Sequence, residues 1–318
     1  MASFPLRPQG NRQALFDIGQ VVADLAQVRQ QWRIRQHRST EPGGRELPSR
    51  AALDSIVKDL CGILFPMRLG PEDLRHETED FYVGHTLDSA LHKLVTQARL
   101  ELAYPARHQT EVTATQIDNK ALALVREFAR ALPVIRTVLD EDVQAAFEGD
   151  PAARSVDEVL LCYPGVLAVI YHRIGHELYT LGLPLLARIV AELAHGQTGV
   201  DIHPGASIGA GFFVDHGTGV VVGETAVIGR RVRLYQAVTL GAKSFPVDAD
   251  GKPIKGQARH PILEDDVVIY AGATVLGRIT IGKGSSIGGN VWLTHSVPPG
   301  SHISQAVHRN DAGAAPGK

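Results

Sequence analysis

The chain has 318 residues, a length that suggests about two domains; 44% are hydrophobic and 21% charged, enough apolar material for a core, which excludes global disorder. Lys and Arg number 32 against 34 Asp and Glu, so no basic excess points to nucleic acid or to an anionic membrane. The longest apolar run, Val166 to Tyr171, falls far short of the ~18–20 residues of a membrane span, the first residues lack the pattern of a signal peptide, and two cysteines make no disulfide framework; a soluble cytoplasmic protein is expected.

Residues 1–50 read as an N-terminal extension, partly disordered. Residues 51–198 read as a helical domain. Leu87, Leu91, Leu94 and Ala98 recur at the spacing of one buried helix face, as do Leu167, Ile170, Ile174, Leu178 and Leu181, and then Leu186, Ile189, Val190 and Leu193. Breaks are expected at Glu41-Pro-Gly-Gly, Pro66, Pro105, Gly149-Asp150-Pro151 and Gly182. Asp150 before Pro151 predicts an N-cap followed by proline in the first turn of a helix.

Near residue 199 the texture changes, because the last 120 residues hold 20 of the 32 glycines. Ile202, Ile208, Val214 and Val220 stand six apart, and after a step of eight the ladder resumes at Ile228, Leu234 and Leu240. It returns at Leu263, Ile269, Val275, Ile281, Ile287 and Leu293. This hexapeptide period predicts a parallel β-helix over 199–303, three short strands to a coil, with the ladder residues stacked inside. The tail 304–318 reads as flexible. Two departures stand out: two extra residues between Val220 and Ile228, and an excursion from Gly241 to Ile262. Long loops on a rigid scaffold carry function.

Histidines gather at those departures: His203 in Val-Asp201-Ile-His-Pro, His216 in Asp215-His-Gly-Thr-Gly and His260 in Arg259-His-Pro. Asp201 and His216 lie fifteen residues apart, three short of a full coil, which sets them near one edge. A carboxylate beside an imidazole there makes a general base, the acid fixing the tautomer and stabilising the imidazolium. His203, beside a proline, reads as structural.

These words, with Val-Val-Gly-Glu-Thr-Ala, Val-Thr-Leu-Gly and Ser-Val-Pro-Pro in the same order, resemble the serine acetyltransferases; the likeness extends into the helices through Gly149-Asp-Pro-Ala and Tyr171-His-Arg-Ile-Gly-His. The resemblance implies an α+β chain: an all-helical N-terminal domain, then a left-handed β-helix with one long extruded loop. It implies transfer of acetyl from acetyl-CoA to the hydroxyl of L-serine, the first step of cysteine biosynthesis. The roles it implies are His216 as base, Asp201 as its partner, serine contacts from Asp150, Asp215, Arg259 and His260, and CoA along Gly241, Ala242, Ala271 and Gly289. Acetyl-CoA is then a co-substrate, with no metal and no permanently bound cofactor. Serine has a carboxylate for a guanidinium to grip and an ammonium that needs a carboxylate, which suits these residues.

Further implications are a homotrimer or a dimer of trimers, and cysteine as feedback inhibitor. The final residues, Ala-Ala-Pro-Gly-Lys318, lack the isoleucine with which family members dock into O-acetylserine sulfhydrylase, which argues against that partnership here. Two other readings stay open. One is an O-acetyltransferase for a sugar or another hydroxyl acceptor. The other is a γ-carbonic-anhydrase-like protein with zinc on His203, His216 and His260. Covalent relay through a protein thiol is not expected, since Cys61 stands in no His-bearing motif and Cys162 lies in the apolar segment Val159 to Tyr163, where burial disfavours a thiolate.

Overall fold

A computed structural model describes residues 16–36, 47–106, 113–244, 248–252 and 254–305. The expected tail beyond Gln305, much of the expected extension, and Phe245, Pro246, Val247 and Pro253 of the long loop lie outside the described residues. Helix α1 (Ile18–Arg35) is a unit by itself, and the residues from Glu46 onward form a second.

In the second unit the helices are α2 (Arg50–Leu64), α3 (Pro66–Leu69), α4 (Glu79–Ala106), α5 (Ala114–Gly149), α6 (Val156–Cys162), α7 (Pro164–Thr180) and α8 (Pro184–Thr198). The predicted faces are those that turn inward: Leu94, Ala98, Ile170, Ile174, Leu178, Leu186 and Val190 are all buried. Gly182, with φ of 82°, makes the left-handed turn between α7 and α8 that residues bearing a Cβ rarely adopt. Glu101 of α4 accepts the free backbone N–H groups of Leu185 and Leu186 at 2.7 and 2.9 Å, which caps the first turn of α8 from a neighbouring helix.

From Asp201 onward the chain winds in short parallel strands. The first face stacks β1 (Asp201–Ile202), β4 (Val221–Val222), β7 (Thr239–Gly241), β10 (Thr274–Leu276) and β13 (Trp292–Leu293). The second stacks β2 (Ser207–Ile208), β5 (Val227–Ile228), β8 (Ile262–Leu263) and β11 (Thr280–Ile281). The third stacks β3 (Phe213–Val214), β6 (Arg233–Leu234), β9 (Val268–Ile269), β12 (Ser286–Ile287) and β14 (His302–Ile303). Each strand up to β10 pairs with the one three places on, as a three-sided coil requires, β12 pairing with β14 at the end of the stack, and the arrangement fits a left-handed parallel β-helix. The rungs Leu234, Leu240, Ile269, Val275, Ile281 and Ile287 are fully buried.

The register corrects the sequence reading at one step. Ile202 pairs with Val222, and Val222 with Leu240, so the rung is Val222 and not Val220. The two extra residues therefore sit between Val214 and Val222, in the corner that carries His216, rather than between Val220 and Ile228. Val220 is also buried, and three consecutive valines hide the register from a periodicity argument.

Helices and coil are locked at the first turn of the coil. Arg173 of α7 and Asp142 of α5, both buried, form a two-point ion pair with both contacts at 3.0 Å. Arg173 also donates to the carbonyls of Ile208 and Gly209, and Asp142 accepts the N–H of Phe212 at 2.8 Å. Gly165 lets α7 come closer still, since a Cβ there would stand 2.0 Å from the carbonyl oxygen of Val214.

Candidate active site

Asp150 does not begin a helix, as its place before Pro151 predicts. It ends α5, and α6 starts later with the Ser155 hydroxyl accepting from the N–H of Glu158 at 3.0 Å. One Asp150 oxygen accepts the N–H of Ala152 at 2.8 Å, a turn that leaves the other facing Tyr163, whose hydroxyl donates to it. That hydroxyl, then the Ala152 amide, hold the Asp150 carboxyl below the usual range, while the same bond pushes the Tyr163 phenol up to about 12. Asp150 is thus an anchored anion.

Asp215 and His216 occupy the corner between the third and first faces. The His216 backbone is left-handed, with φ of 58°, followed by Gly217 at 85°. Such backbone is uncommon for a residue with a side chain and persists where the surroundings impose it. The imidazole stands out, 71% exposed, with Nε2 3.9 Å from the Asp215 carboxylate. Asp215 is buried and accepts from Arg233, whose other terminal nitrogen donates to the Gly149 carbonyl at 2.6 Å. The Arg233 guanidinium lies over the rings of Phe213 and Tyr235, at 4.9 and 4.5 Å. One arginine therefore ties the end of α5 to the His216 corner. A cleft of about 280 Å³ opens there, lined by Asp150, Tyr163, Gly165, Val214, Asp215 and His216.

Arg259 and His260 are elsewhere, on the corner between the first and second faces, where the long loop rejoins the coil. The Thr225 hydroxyl accepts their two backbone N–H groups, at 2.9 and 3.2 Å, and so clasps the loop's end. Arg259 pairs with Glu224 at 2.7 Å, and Tyr179 donates to the same carboxylate at 3.3 Å. Burial raises the Glu224 pKa, but the Arg259 contact outweighs it and the net shift is downward. His260 is buried, and its Nδ1 accepts the N–H of Thr225 at 3.0 Å, which leaves Nε2 as the donor of a neutral ring. The ring lies so close over Gly223 that a Cβ there would be 2.1 Å from Nε2.

Burial, then the neighbouring Arg259 charge, lower the His260 pKa from 6.5 to about 4. Burial pushes His172 in the same direction. The unfolded chain thus binds more protons between these values, so the stability these rings contribute is present above about pH 6.5 and is lost as pH falls towards 4. A thermal midpoint that drops over this interval is expected, with a shallower drop in His260→Gln; identical slopes in both proteins would refute it.

Asp201 lies on β1 in register with Val221, its carboxylate within 4.8 Å of the side-chain donor atoms of Glu192 and His195, and the ion pair recorded for His216 is with Asp215. The expected CoA residues also divide. Gly241 ends β7 and Ala242 follows it on the first-to-second corner. Ala271 and Gly289 stack on the third-to-first corner, where a Gly289 Cβ would stand 3.2 Å from the Ala271 carbonyl oxygen. The histidines of the zinc reading divide too, His216 on one corner, His203 and His260 on the other. His203 Nδ1 accepts the N–H of Gly205 at 3.0 Å.

Sequence reasoning missed Tyr163, Arg233, Glu224 and Thr225. Arg233 had a signal, since Phe213 and Arg233 are register partners one coil apart. Cys162 differs as well, being exposed where burial is expected; Cys61 is the buried thiol, raised to about 12 by desolvation.

Residues 260–295 match the family described as bacterial transferase hexapeptide (six repeats). The chain is 59% identical over 267 residues to a plasmid serine acetyltransferase of Synechococcus elongatus, covering 83% of this chain and 84% of that one. It is 48% identical over 166 residues to the serine acetyltransferase of Bacillus subtilis, covering 52% of this chain and 72% of the relative. Among solved structures it is similar to serine acetyltransferase isoform 3 of Entamoeba histolytica in complex with cysteine, at a TM-score of 0.68, with 34% identity, 82% of this chain and 84% of that chain covered. It is also similar to the Neisseria gonorrhoeae serine acetyltransferase in complex with serine, at a TM-score of 0.51, with 27% identity, 80% of this chain and 94% of that chain covered.

Proposed function

The chain belongs to the serine acetyltransferases, and from that premise we infer that it moves the acetyl group of acetyl-CoA onto the hydroxyl of L-serine, giving O-acetyl-L-serine and CoA. The observation that carries the chemistry is the third-to-first corner, where an outstanding imidazole shares a cleft with two carboxylates. Asp150 and Asp215 would receive the serine ammonium. His216 would take the hydroxyl proton as the oxygen attacks the thioester carbonyl, then return it to the departing CoA sulfur. The substrate brings its own nucleophile, so no acyl-enzyme is required.

The carboxylate of serine needs a cation, and Arg259 with the Nε2–H of His260 offers one beside a neutral donor. These stand on a different corner from His216, as Gly241 and Ala242 do from Ala271 and Gly289. We propose that the halves meet between copies of the chain. The third-to-first corner of one copy faces the first-to-second corner of the next, and a heterologous contact of this kind closes as a ring, here a trimer. Asp201, on the face between the corners, is assigned as the residue that orients His216 in the assembled trimer, while Asp215 flanks His216 within the chain. Cysteine, which differs from serine by sulfur for oxygen, is expected to compete in the same pocket, and the cysteine complex of the Entamoeba relative supports this. Among the described residues no helix is long and apolar enough to cross a membrane, and the cytoplasm is the proposed site of action.

Thiol release from acetyl-CoA is expected with L-serine and not with a sugar, and double-reciprocal plots should intersect, since His216 acts only when both substrates are bound. The Cys61→Ser, Cys162→Ala variant should stay active. Release with the sugar alone would favour the other acceptor reading. Parallel lines, or an acetylated protein trapped with acetyl-CoA and competent towards serine, would overturn direct transfer.

Gly223→Ala gives a second check. The new methyl must push the His260 ring off Thr225, so KM for serine is expected to rise about as far as in His260→Ala, with KM for acetyl-CoA less affected. An unchanged serine KM would remove His260 from the pocket.

A further inference from the structure

Helix α1 stands as its own unit, and among the described residues none of its side chains is buried. Ile18, Val21, Leu25 and Val28 are each about half exposed. They are spaced by three, four and three residues, and a further step of four reaches Trp32. This is the heptad alternation, with Ile18, Leu25 and Trp32 at a and Val21 and Val28 at d. An isolated helix of 18 residues is marginal in water, and most helical stability in proteins comes from packing an apolar face.

We propose that α1 packs in parallel and in register against α1 of further copies of this chain, forming a three-stranded coiled coil. The charges flanking the seam select that partner. In this register Asp24 is at g and Arg29 five residues later is at e, the two positions that meet between parallel neighbours. Identical helices side by side therefore exchange Asp24–Arg29 pairs, whereas an antiparallel pair sets g against g and e against e, acid facing acid and base facing base. Gln20 Nε2 donates to Asp24 at 2.8 Å and holds its carboxylate at the margin of the seam. The strand number follows from the d layer. Two-stranded parallel coils favour leucine at d, and β-branched residues there, as Val21 and Val28 are, favour higher order. The number three, though not the self-association, rests on the trimer proposed above.

Cross-linking of the full chain tests this. In a Cys162→Ser background, which removes the exposed native thiol, Val21→Cys is expected to give a disulfide-linked pair on mild oxidation. About two of every three chains should be captured, because only two of three thiols in a layer can join. Ala23→Cys, on the opposite face, should remain unlinked. Asp24→Arg should lower the Val21→Cys yield several-fold, and adding Arg29→Asp should restore it. Leu25→Glu should abolish cross-linking and leave turnover unchanged. Val21→Cys yields no higher than those of Ala23→Cys, as when the seam belongs to another protein, would overturn the proposal, and failure of the charge swap would overturn the parallel register. Light scattering of the unoxidised chain separates the two readings. A trimer mass with no cross-linking overturns the coiled coil alone, and a mass that is no multiple of three overturns the trimer and the strand number with it.

Discussion

His216→Ala is expected to lower kcat by roughly 10²–10⁴-fold, the usual cost of removing a general base, with KM for acetyl-CoA little changed. The ring is 71% exposed, so its removal costs little packing within the chain. Its backbone complicates the choice of variant, because φ is 58° and alanine there pays roughly 1–2 kcal/mol for a left-handed conformation. Asparagine tolerates that region better. His216→Asn is therefore the cleaner measurement: the corner keeps its shape, the proton acceptor is lost, and the rate should fall as far as in the alanine variant. Near-normal turnover in a folded His216→Asn protein would take His216 out of the mechanism.

Asp142→Ala carries the largest expected loss of stability. It strands the buried Arg173 guanidinium and leaves the N–H of Phe212 without its acceptor. Breaking one side of a buried ion pair costs about 3–5 kcal/mol, which in a chain of this size corresponds to a fall in the thermal midpoint of roughly 10 °C. Asp142→Leu combined with Arg173→Met should recover part of this, since an apolar pair leaves no unpaired charge. Only part is expected, because Arg173 also serves the Ile208 and Gly209 carbonyls. A midpoint within a degree or two of the parent for Asp142→Ala would mean that the pair does not hold helices and coil together.

The coil was legible because its signal is local and repeated: one apolar residue per six, with every rung in the same relation to its neighbours. It failed at Val220 to Val222, where three valines satisfy either register and only pairing with Ile202 and Leu240 decides. The candidate site was legible as words but not as an arrangement. Asp150 looks like a helix start because an acid before proline commonly is one, yet α5 ends there, and Tyr163 and the Ala152 amide take the carboxylate. Asp142 and Arg173 lie on two helices with no shared period, so nothing in the string joins them. Asp215 and Arg233 are eighteen residues apart, but the turn between them spans twenty, so Arg233 stacks on Phe213 and only its side chain reaches Asp215.

The Arg173–Asp142 lock and the close approach of Gly165 both engage the first turn of the coil, and the Arg233 bond to Gly149 engages the second. The stack is therefore anchored at one end. At the other, no helix of the second unit packs extensively against β13 or β14 among the described residues. In a stack where each turn touches mainly its neighbours, opening proceeds inward from the uncovered edge. His216, Glu224 and Thr225 sit on the anchored turns, so warming would peel the C-terminal turns away before it disturbs the groups assigned to proton transfer and loop clasping. Ala271 and Gly289, nearer the loose end, would be disturbed first, and with them the proposed CoA edge.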